Sequence, residues 1–288
     1  MRCHEFAAVM CNGLLCSPGN LPMRMIGIGF FVGLVSGAVG GLIGLGGGII
    51  MVPLLTGLMN LDRIRAHGTS LAALVFTGFS GAAAYACYEQ IDWTAAVALA
   101  FPAVLTAAAG ARLADALPAW KLKRAFGGFL FLCSLLLLLK PFMPSGWGPL
   151  SGYALIGAMT ATGAVTGFLS GLLGVGGGLL MVPAMIFFAG FSQYAAQGTA
   201  LLVMIPTGMT GAVTHFRFGN VAIRLLYGIA PGILLGAFLG GNIAQFIPED
   251  LLCRIFVLSI LLMGWRYIKA EEPPELPESV KAAGLARR

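Results

Sequence analysis

Long apolar runs constrain this chain more than any other feature. The clearest are residues 66–88, 93–114, 127–139, 196–216, 225–246 and 251–265. Most approach the length of about 20 residues that a helix needs to cross roughly 30 Å of hydrocarbon. Backbone polar groups inside lipid must be satisfied within their own segment, so these runs predict helices. Only 10% of the residues are charged, too few to coat a water-facing surface. The sequence therefore predicts an all-α, polytopic transmembrane helical bundle.

The net charge of +6 does not indicate a nucleic-acid partner. The basic residues lie mainly in short loops and at the chain ends, where lysine and arginine mark the cytoplasmic side of a membrane. The six cysteines form no CxxC pair and no metal-ligand spacing. The glycine clusters fit neither a phosphate-binding loop nor a dinucleotide fingerprint. We therefore expect no metal, no cofactor and no nucleic acid. We also expect the protein to lie in a bacterial-type inner (plasma) membrane. The oligomeric state, including a homo-oligomer, stays open.

The chain contains an internal duplication. Residues 44–53 return as residues 174–183, and the same offset of 130 gives identical residues at 19 of the 49 positions between Gly33 and Gly81. Shared composition alone does not keep glycine and proline in register over that distance. The predicted organisation is a leader over 1–24, a first membrane repeat over 25–140, a linker over 141–148, a second repeat over 149–269 and a disordered cytoplasmic tail over 270–288.

The charges of the loops predict that the two repeats are inserted in opposite directions. In the first repeat the loops near 62–65, 89–92 and 121–124 are positive, negative and positive. The equivalent loops of the second repeat are neutral near 192–195, positive near 217–224 and negative near 249–250, which places equivalent loops on opposite faces. Inverted repeats require an odd net number of crossings in each copy. We assign the odd crossing to 25–59 and 153–189, which are too long for one ordinary span. Each is predicted to be two helical pieces, broken at 44–48 and 174–178.

The glycine clusters at these breaks are the first candidates for a binding site. Four glycines within five residues cost about 1 kcal/mol each in a continuous helix relative to alanine. A helix that restarts at Gly47 or Gly177 presents free N–H groups and a positive dipole end, which bind anions. The candidate residues are Gly46, Gly47, Gly48, Gly176, Gly177 and Gly178. The upstream glycines, such as Gly33, Gly37 and Gly41, have instead the spacing of close helix packing.

Polar residues that follow the clusters are the second set of candidates. Intramembrane polar residues are costly and often functional. His67 and Gln197 occupy equivalent repeat positions, and both side chains can donate hydrogen bonds to an oxyanion. A histidine also titrates near neutral pH. The hydroxyls of Thr69, Ser70 and Thr199 either line a cavity or bond to their own helix. In the second repeat the position of Ser70 is Ala200.

A catalytic interpretation competes with this one. Residues 78–81 read Gly-Phe-Ser-Gly and resemble the GxSG motif of intramembrane rhomboid proteases, with His215 as a base for Ser80. The repeat carries Gly-Met-Thr-Gly at the same place, which favours a duplicated packing motif. No enzyme is expected, although an intramembrane enzyme stays as an alternative.

With these residues in view, the sequence resembles the sulfite exporter TauE/SafE family, also called the TSUP transporters. The resemblance covers roughly 25–268 and depends on the doubled GxGGGxxxVP motif, the [His/Gln]-Gly-Thr that follows it, and the corners at Pro118 and Pro248. It implies a multi-pass transporter of a small sulfur-containing anion such as sulfite, sulfoacetate or another sulfonate. We expect an exporter that works by alternating access, with the anion near the midplane. A passive anion channel is the alternative.

Overall fold

The structure is a computed structural model that describes residues 23–113, 119–139, 150–173 and 176–269. Nearly all of this part of the chain is helical. Most of the predicted leader, the linker over 141–148 and the tail over 270–288 lie outside the described residues, as do Pro118 and Gly174. The helices are α1 (Met23–Ile43), α2 (Gly48–Leu58), α3 (Arg63–Ala86), α4 (Trp93–Leu113), α5 (Ala119–Leu139), α6 (Gly152–Leu173), α7 (Gly178–Ala184, continued by a π-helical turn over Met185–Ala189), α8 (Gln193–Arg217), α9 (Ile223–Phe246) and α10 (Glu249–Ile268).

The helices have the length and surface of membrane spans. Seven of those in the described ranges are long and apolar enough to cross a bilayer, which confirms the predicted polytopic helical bundle. Large apolar side chains point outward along them: Phe101 of α4 is 72% exposed and Tyr227 of α9 is 73% exposed. An outside of this kind suits lipid rather than water. The helix α2 has 11 residues and is about 16 Å long, too short to span alone.

The ten helices of the described ranges form two sets of five that follow the sequence repeat. The starts of α2, α3, α4 and α5 each recur 130 residues later as the starts of α7, α8, α9 and α10. The contacts between the sets also come in equivalent pairs. A methyl group added at Gly78 of α3 would lie 2.8 Å from the Leu201 carbonyl oxygen of α8, and one at Gly208 of α8 would lie 3.4 Å from the Leu71 carbonyl oxygen of α3. Residues late in α3 thus meet residues early in α8, so these two helices run antiparallel.

An antiparallel pair of equivalent helices is what a two-fold axis perpendicular to the helices produces. Inverted repeats in a membrane have an axis of this kind, lying in the membrane plane. How the two halves are inserted across a bilayer stays a prediction. The central position of α3 and α8 follows directly from the contacts, because the two halves face each other along these helices.

Close packing through glycine joins the two halves at their flanks. On one flank, α1 lies parallel to α9: an added methyl group at Gly37 would lie 2.7 Å from the Ile233 carbonyl oxygen. On the other flank, α4 and α6 make the equivalent contact, and a methyl group at Gly167 would lie 2.5 Å from the Ala103 Cα. Backbones approach this closely only where no Cβ stands between them. The packing role predicted for the upstream glycines is confirmed.

Candidate functional site

Both predicted helix breaks are present. The first helix ends at Ile43 and α2 begins at Gly48, while α6 ends at Leu173 and α7 begins at Gly178. Between them, Gly44, Gly46 and Gly176 have φ angles of 73°, 78° and 86°. Residues with a Cβ seldom adopt this left-handed conformation, which explains why glycine is needed there. The helices restart one residue later than predicted, with Gly47 and Gly177 as their N-caps.

The two breaks meet in the middle of the bundle. A methyl group added at Gly178 would lie 2.5 Å from the Gly44 carbonyl oxygen and 3.2 Å from the Leu45 Cα, and one at Gly176 would lie 3.3 Å from the Leu45 carbonyl oxygen. The described glycines of both breaks are buried. The same loops touch Leu74 and Met204, which occupy equivalent repeat positions close to the midpoints of α3 and α8. The structure therefore brings the two glycine clusters together at mid-depth.

The helix starts at these breaks carry no side-chain caps. Neither Gly47 nor Gly177 can offer a side-chain acceptor, and no capping hydrogen bond from a side chain is present at either start. The first turns close tightly, with Ile50 N donating to the Gly47 carbonyl at 3.1 Å and Leu180 N donating to the Gly177 carbonyl at 3.1 Å. An uncapped helix start concentrates partial positive charge. Buried polar residues in the described ranges include no Asp, Glu, Lys or Arg, so backbone dipoles dominate the electrostatics of this centre.

Two apolar side chains close the centre. Leu74 lies 3.3 Å from the Cβ position of Gly176, and the sulfur of Met204 lies 2.8 Å from that of Gly46. Beside the second break is a narrow crevice. Its volume is about 210 Å³ when the space open to its outside is included, but the crevice is too narrow to hold a water molecule. Its lining includes Thr166, Gly176 and Gly177. In this conformation the centre is shut.

The two breaks differ in conformation although their sequences are nearly the same. Gly47 is left-handed with φ 71°, whereas Gly177 has φ −80° and ψ −12°. The helix after the second break also contains the π-helical turn Met185–Ala189, which α2 lacks at the equivalent positions. The structure thus records one asymmetric arrangement of two similar halves.

The structure places Gln197 against the first break and His67 towards the other end of the bundle. The Cβ and Cγ of Gln197 lie 2.7 Å from the Cβ position of Gly44, and its Oε1 accepts a 2.7 Å hydrogen bond from the Tyr85 hydroxyl. His67 lies on the same helix as Tyr85 but 18 residues earlier, about 27 Å along the axis. His67 and Gln197 are therefore not brought together, and they lie towards opposite ends of the bundle.

The candidate hydroxyls form hydrogen bonds with loops or with their own helices. Thr69 Oγ1 accepts a 3.0 Å hydrogen bond from Ala222 N, and Thr199 Oγ1 accepts one of 3.0 Å from Asp92 N. These are equivalent bonds, and each ties the loop before α9 or α4 to a central helix. The Ser70 hydroxyl donates to the His67 carbonyl at 3.1 Å. A threonine hydroxyl that accepts one hydrogen bond retains its own hydrogen.

The catalytic alternative lacks the required geometry. The Ser80 hydroxyl donates to the Leu234 carbonyl at 2.5 Å, which ties α3 to α9. His215 packs against Gly68, with its Cβ 3.0 Å from the Cβ position of that glycine. Gly68 is 12 residues before Ser80 on α3, about 18 Å along the axis, so His215 is not within hydrogen-bond reach of Ser80. Within the described ranges, no group of three or more His, Cys, Asp or Glu residues could hold a metal ion.

The fold and the paired breaks together define a class of protein. Helices interrupted at mid-depth, at the meeting of two repeats, are typical of secondary transporters. The sequence model of the sulfite exporter TauE/SafE family matches residues 29–278. The chain belongs to that family.

Curated relatives agree with this assignment. Over 259 residues the chain is 31% identical to the "Probable membrane transporter protein YunE" of Bacillus subtilis, covering 82% of this chain and 95% of YunE. It is 28% identical to YdhB of the same organism over 244 residues, covering 84% of this chain and 98% of YdhB. A probable membrane transporter of Methanocaldococcus jannaschii is 27% identical over 275 residues, covering 85% of this chain and 94% of that protein. No solved structure matches the chain. The protein is a membrane transporter for a small substrate.

Proposed function

We propose that the protein exports a small sulfur-containing anion, such as sulfite, sulfoacetate or another sulfonate, across the bacterial inner membrane. The family to which the chain belongs is described as sulfite exporters. The observation that carries the proposal is the meeting of two uncapped helix starts at the centre of the bundle. In this proposal the N–H groups after Gly46 and Gly176 bind the oxyanion.

The chemistry of the centre suits an anion better than a cation. Helix starts favour negative charge by about 0.3–1 kcal/mol each when exposed, and by up to about 2 kcal/mol when partly buried. Two of them meet here without a buried acidic side chain in the described ranges that would repel an anion. A sulfite or sulfonate group has several acceptor oxygens and no fixed geometry requirement for a lysine or arginine. Backbone amides alone can bind it.

The proposed mechanism is alternating access. The closed centre requires Leu74 and Met204 to move before an anion can enter, which is a property of a gated carrier. The unequal conformations of Gly47 and Gly177 support a cycle in which the two halves exchange arrangements. In this cycle the anion accepts hydrogen bonds from different side chains at different steps. These side chains are His67 and Gln197, which lie towards opposite ends of the bundle, and Thr69 and Thr199, which donate their hydroxyl hydrogens.

The test is the efflux of radiolabelled sulfite from proteoliposomes that contain the purified protein. We expect saturable efflux and counterflow, in which unlabelled sulfite outside accelerates the exit of label. Gly177→Ala should slow this efflux, because the added methyl group fills the crevice beside the break. Gly157→Ala on α6 is the matched control, since nothing lies within 4 Å of the Cβ position there.

Two outcomes would contradict the proposal. Wild-type efflux of sulfite and sulfoacetate equal to that of empty liposomes would exclude this substrate class. Efflux that is linear with concentration and shows no counterflow would exclude the carrier and favour a passive channel.

A further inference from the structure

We propose that Tyr85 and Gln197 form a second anion subsite, between the centre and one end of the bundle. In it Tyr85 is a positioning residue: it holds the Gln197 carboxamide by its oxygen, so that the amino group donates to an oxyanion. The inference rests on the proposed function, because it assigns to the transported anion a second binding position outside the central site.

The Gln197 carboxamide is held from one side. Its Oε1 accepts the 2.7 Å hydrogen bond from the Tyr85 hydroxyl, which also lies 3.2 Å from the Gly41 carbonyl oxygen. Both side chains have no exposed surface. The Tyr85 ring packs against Gly241, whose Cβ position is 3.4 Å from Cε2, and Gly44 leaves room for the Gln197 stem. The hydroxyl is therefore fixed between α1, α8 and α9.

The other end of the carboxamide is unsatisfied. Gln197 Nε2 is buried and has no hydrogen-bond partner among the described residues. A buried donor without a partner costs about 1–3 kcal/mol, and such groups are rare in native proteins. The cost is removed if a ligand with an acceptor oxygen binds there. Sulfite and sulfonates have acceptor oxygens in excess, so they match this donor.

The hydroxyl of Tyr85 determines which atom of the amide is presented. The hydroxyl has one hydrogen and two acceptors within 3.2 Å, and donation along the shorter contact, 2.7 Å to Oε1, directs Nε2 away from the tyrosine. Without the hydroxyl the carboxamide can turn over and present its oxygen, which repels an anion. Tyr85 therefore sets both the affinity and the sign of charge that this subsite accepts.

The subsite lies between the centre and the start of α8. Gln197 comes seven residues before Met204 on α8, about 10 Å along the axis, and Gly44 of the first break contacts it directly. The repeat places His215 and His67 at the positions equivalent to Tyr85 and Gln197. The two ends of the bundle therefore carry different side chains at equivalent places.

The test measures the concentration dependence of sulfite efflux from proteoliposomes. Tyr85→Phe keeps the ring and should raise KM about fivefold, the loss expected for one hydrogen bond, while kcat stays within about a factor of two. Tyr88→Phe is the matched control, because the Tyr88 hydroxyl, one turn further along the chain, donates to Asn242 Oδ1 at 3.2 Å in an exposed position. Gln197→Glu should abolish efflux, and Gln197→His should retain it, since histidine restores a donor.

A double-variant comparison separates positioning from general stability. Gln197→Leu should raise KM, and adding Tyr85→Phe to it should raise KM no further, because the hydroxyl then has no carboxamide to orient. Additive effects would overturn the inference, as would Gln197→Glu with wild-type KM or Tyr85→Phe indistinguishable from Tyr88→Phe. If the wild type itself releases no sulfite, the proposed function fails instead.

Discussion

The equivalent glycines Gly47 and Gly177 should respond very differently to alanine. Both are N-caps of the helices that restart after the breaks, but Gly47 has φ 71° and Gly177 has φ −80°. An added methyl group at Gly47 would lie 3.0 Å from the Ser36 carbonyl carbon and closer still to its oxygen. One at Gly177 would meet the tip of Met181, with Cε at 2.8 Å. The perturbation is the same in chemistry and differs only in local geometry.

The expected difference in free energy of unfolding follows from these contacts. Forcing alanine into the left-handed conformation costs about 1–2 kcal/mol, and overpacking against a rigid backbone adds about 1–3 kcal/mol. Gly47→Ala should therefore destabilise by about 2–5 kcal/mol. At Gly177, a compatible φ gains about 0.4–1 kcal/mol from the unfolded state, which offsets a shift of the flexible Met181 tip. Gly177→Ala should be close to neutral.

Unfolding by SDS in mixed micelles, followed by circular dichroism, measures both variants against the wild type. We expect the free energy of unfolding of Gly47→Ala to fall at least about 2 kcal/mol below that of Gly177→Ala. Equal costs, within about 0.5 kcal/mol, would refute the assigned asymmetry of the two breaks. The Gly157→Ala variant gives the baseline for an uncrowded glycine.

Three further predictions follow from single contacts. Thr69→Val and Thr199→Val should each lower the free energy of unfolding by about 1–3 kcal/mol, because each leaves a loop N–H without its acceptor. Negligible effects of both variants in the same SDS assay would contradict the role of these hydroxyls in holding the loops. Leu74→Ala should lower the free energy of unfolding by about 2–5 kcal/mol. It should also speed sulfite efflux, because a smaller side chain closes the centre less well. Unchanged or slower efflux from correctly folded protein would contradict a gating role for Leu74. Ser80→Ala should leave efflux unchanged and cost about 1 kcal/mol for the lost bond to Leu234; complete loss of activity in folded protein would revive the catalytic alternative.

The sequence predicted the helices and the breaks because their causes are local. Apolar length predicts membrane helices, and adjacent glycines such as Gly46 and Gly47 cannot be accommodated in a helix without cost. The offset of 130 also predicted the equivalence of the two halves, and the described helix starts follow it. The helices and the breaks depend on residues close together in the chain, whereas the equivalence of the two halves follows from the duplication of the sequence.

The arrangement of the site was less accessible, because it depends on how the halves meet. Equivalent residues of antiparallel helices lie at opposite ends, so His67 and Gln197 diverge although their repeat positions suggested one site. Tyr85 was missed because it is not repeated: His215 stands at its equivalent position. A pairwise comparison of polar residues at the 130 offset is the signal that could have found it. Leu74 and Met204, whose side chains close the centre, cannot be distinguished from ordinary core residues in the sequence.

The central claim is that an oxyanion binds where the two helix breaks meet. Selenite has the shape and charge of sulfite and a strong anomalous X-ray signal, so its position in crystals of the protein is measurable. We expect an anomalous peak within hydrogen-bond distance of the amides that follow Gly46 and Gly176. A saturating selenite soak that gives ordered peaks only elsewhere on the protein would contradict the claim.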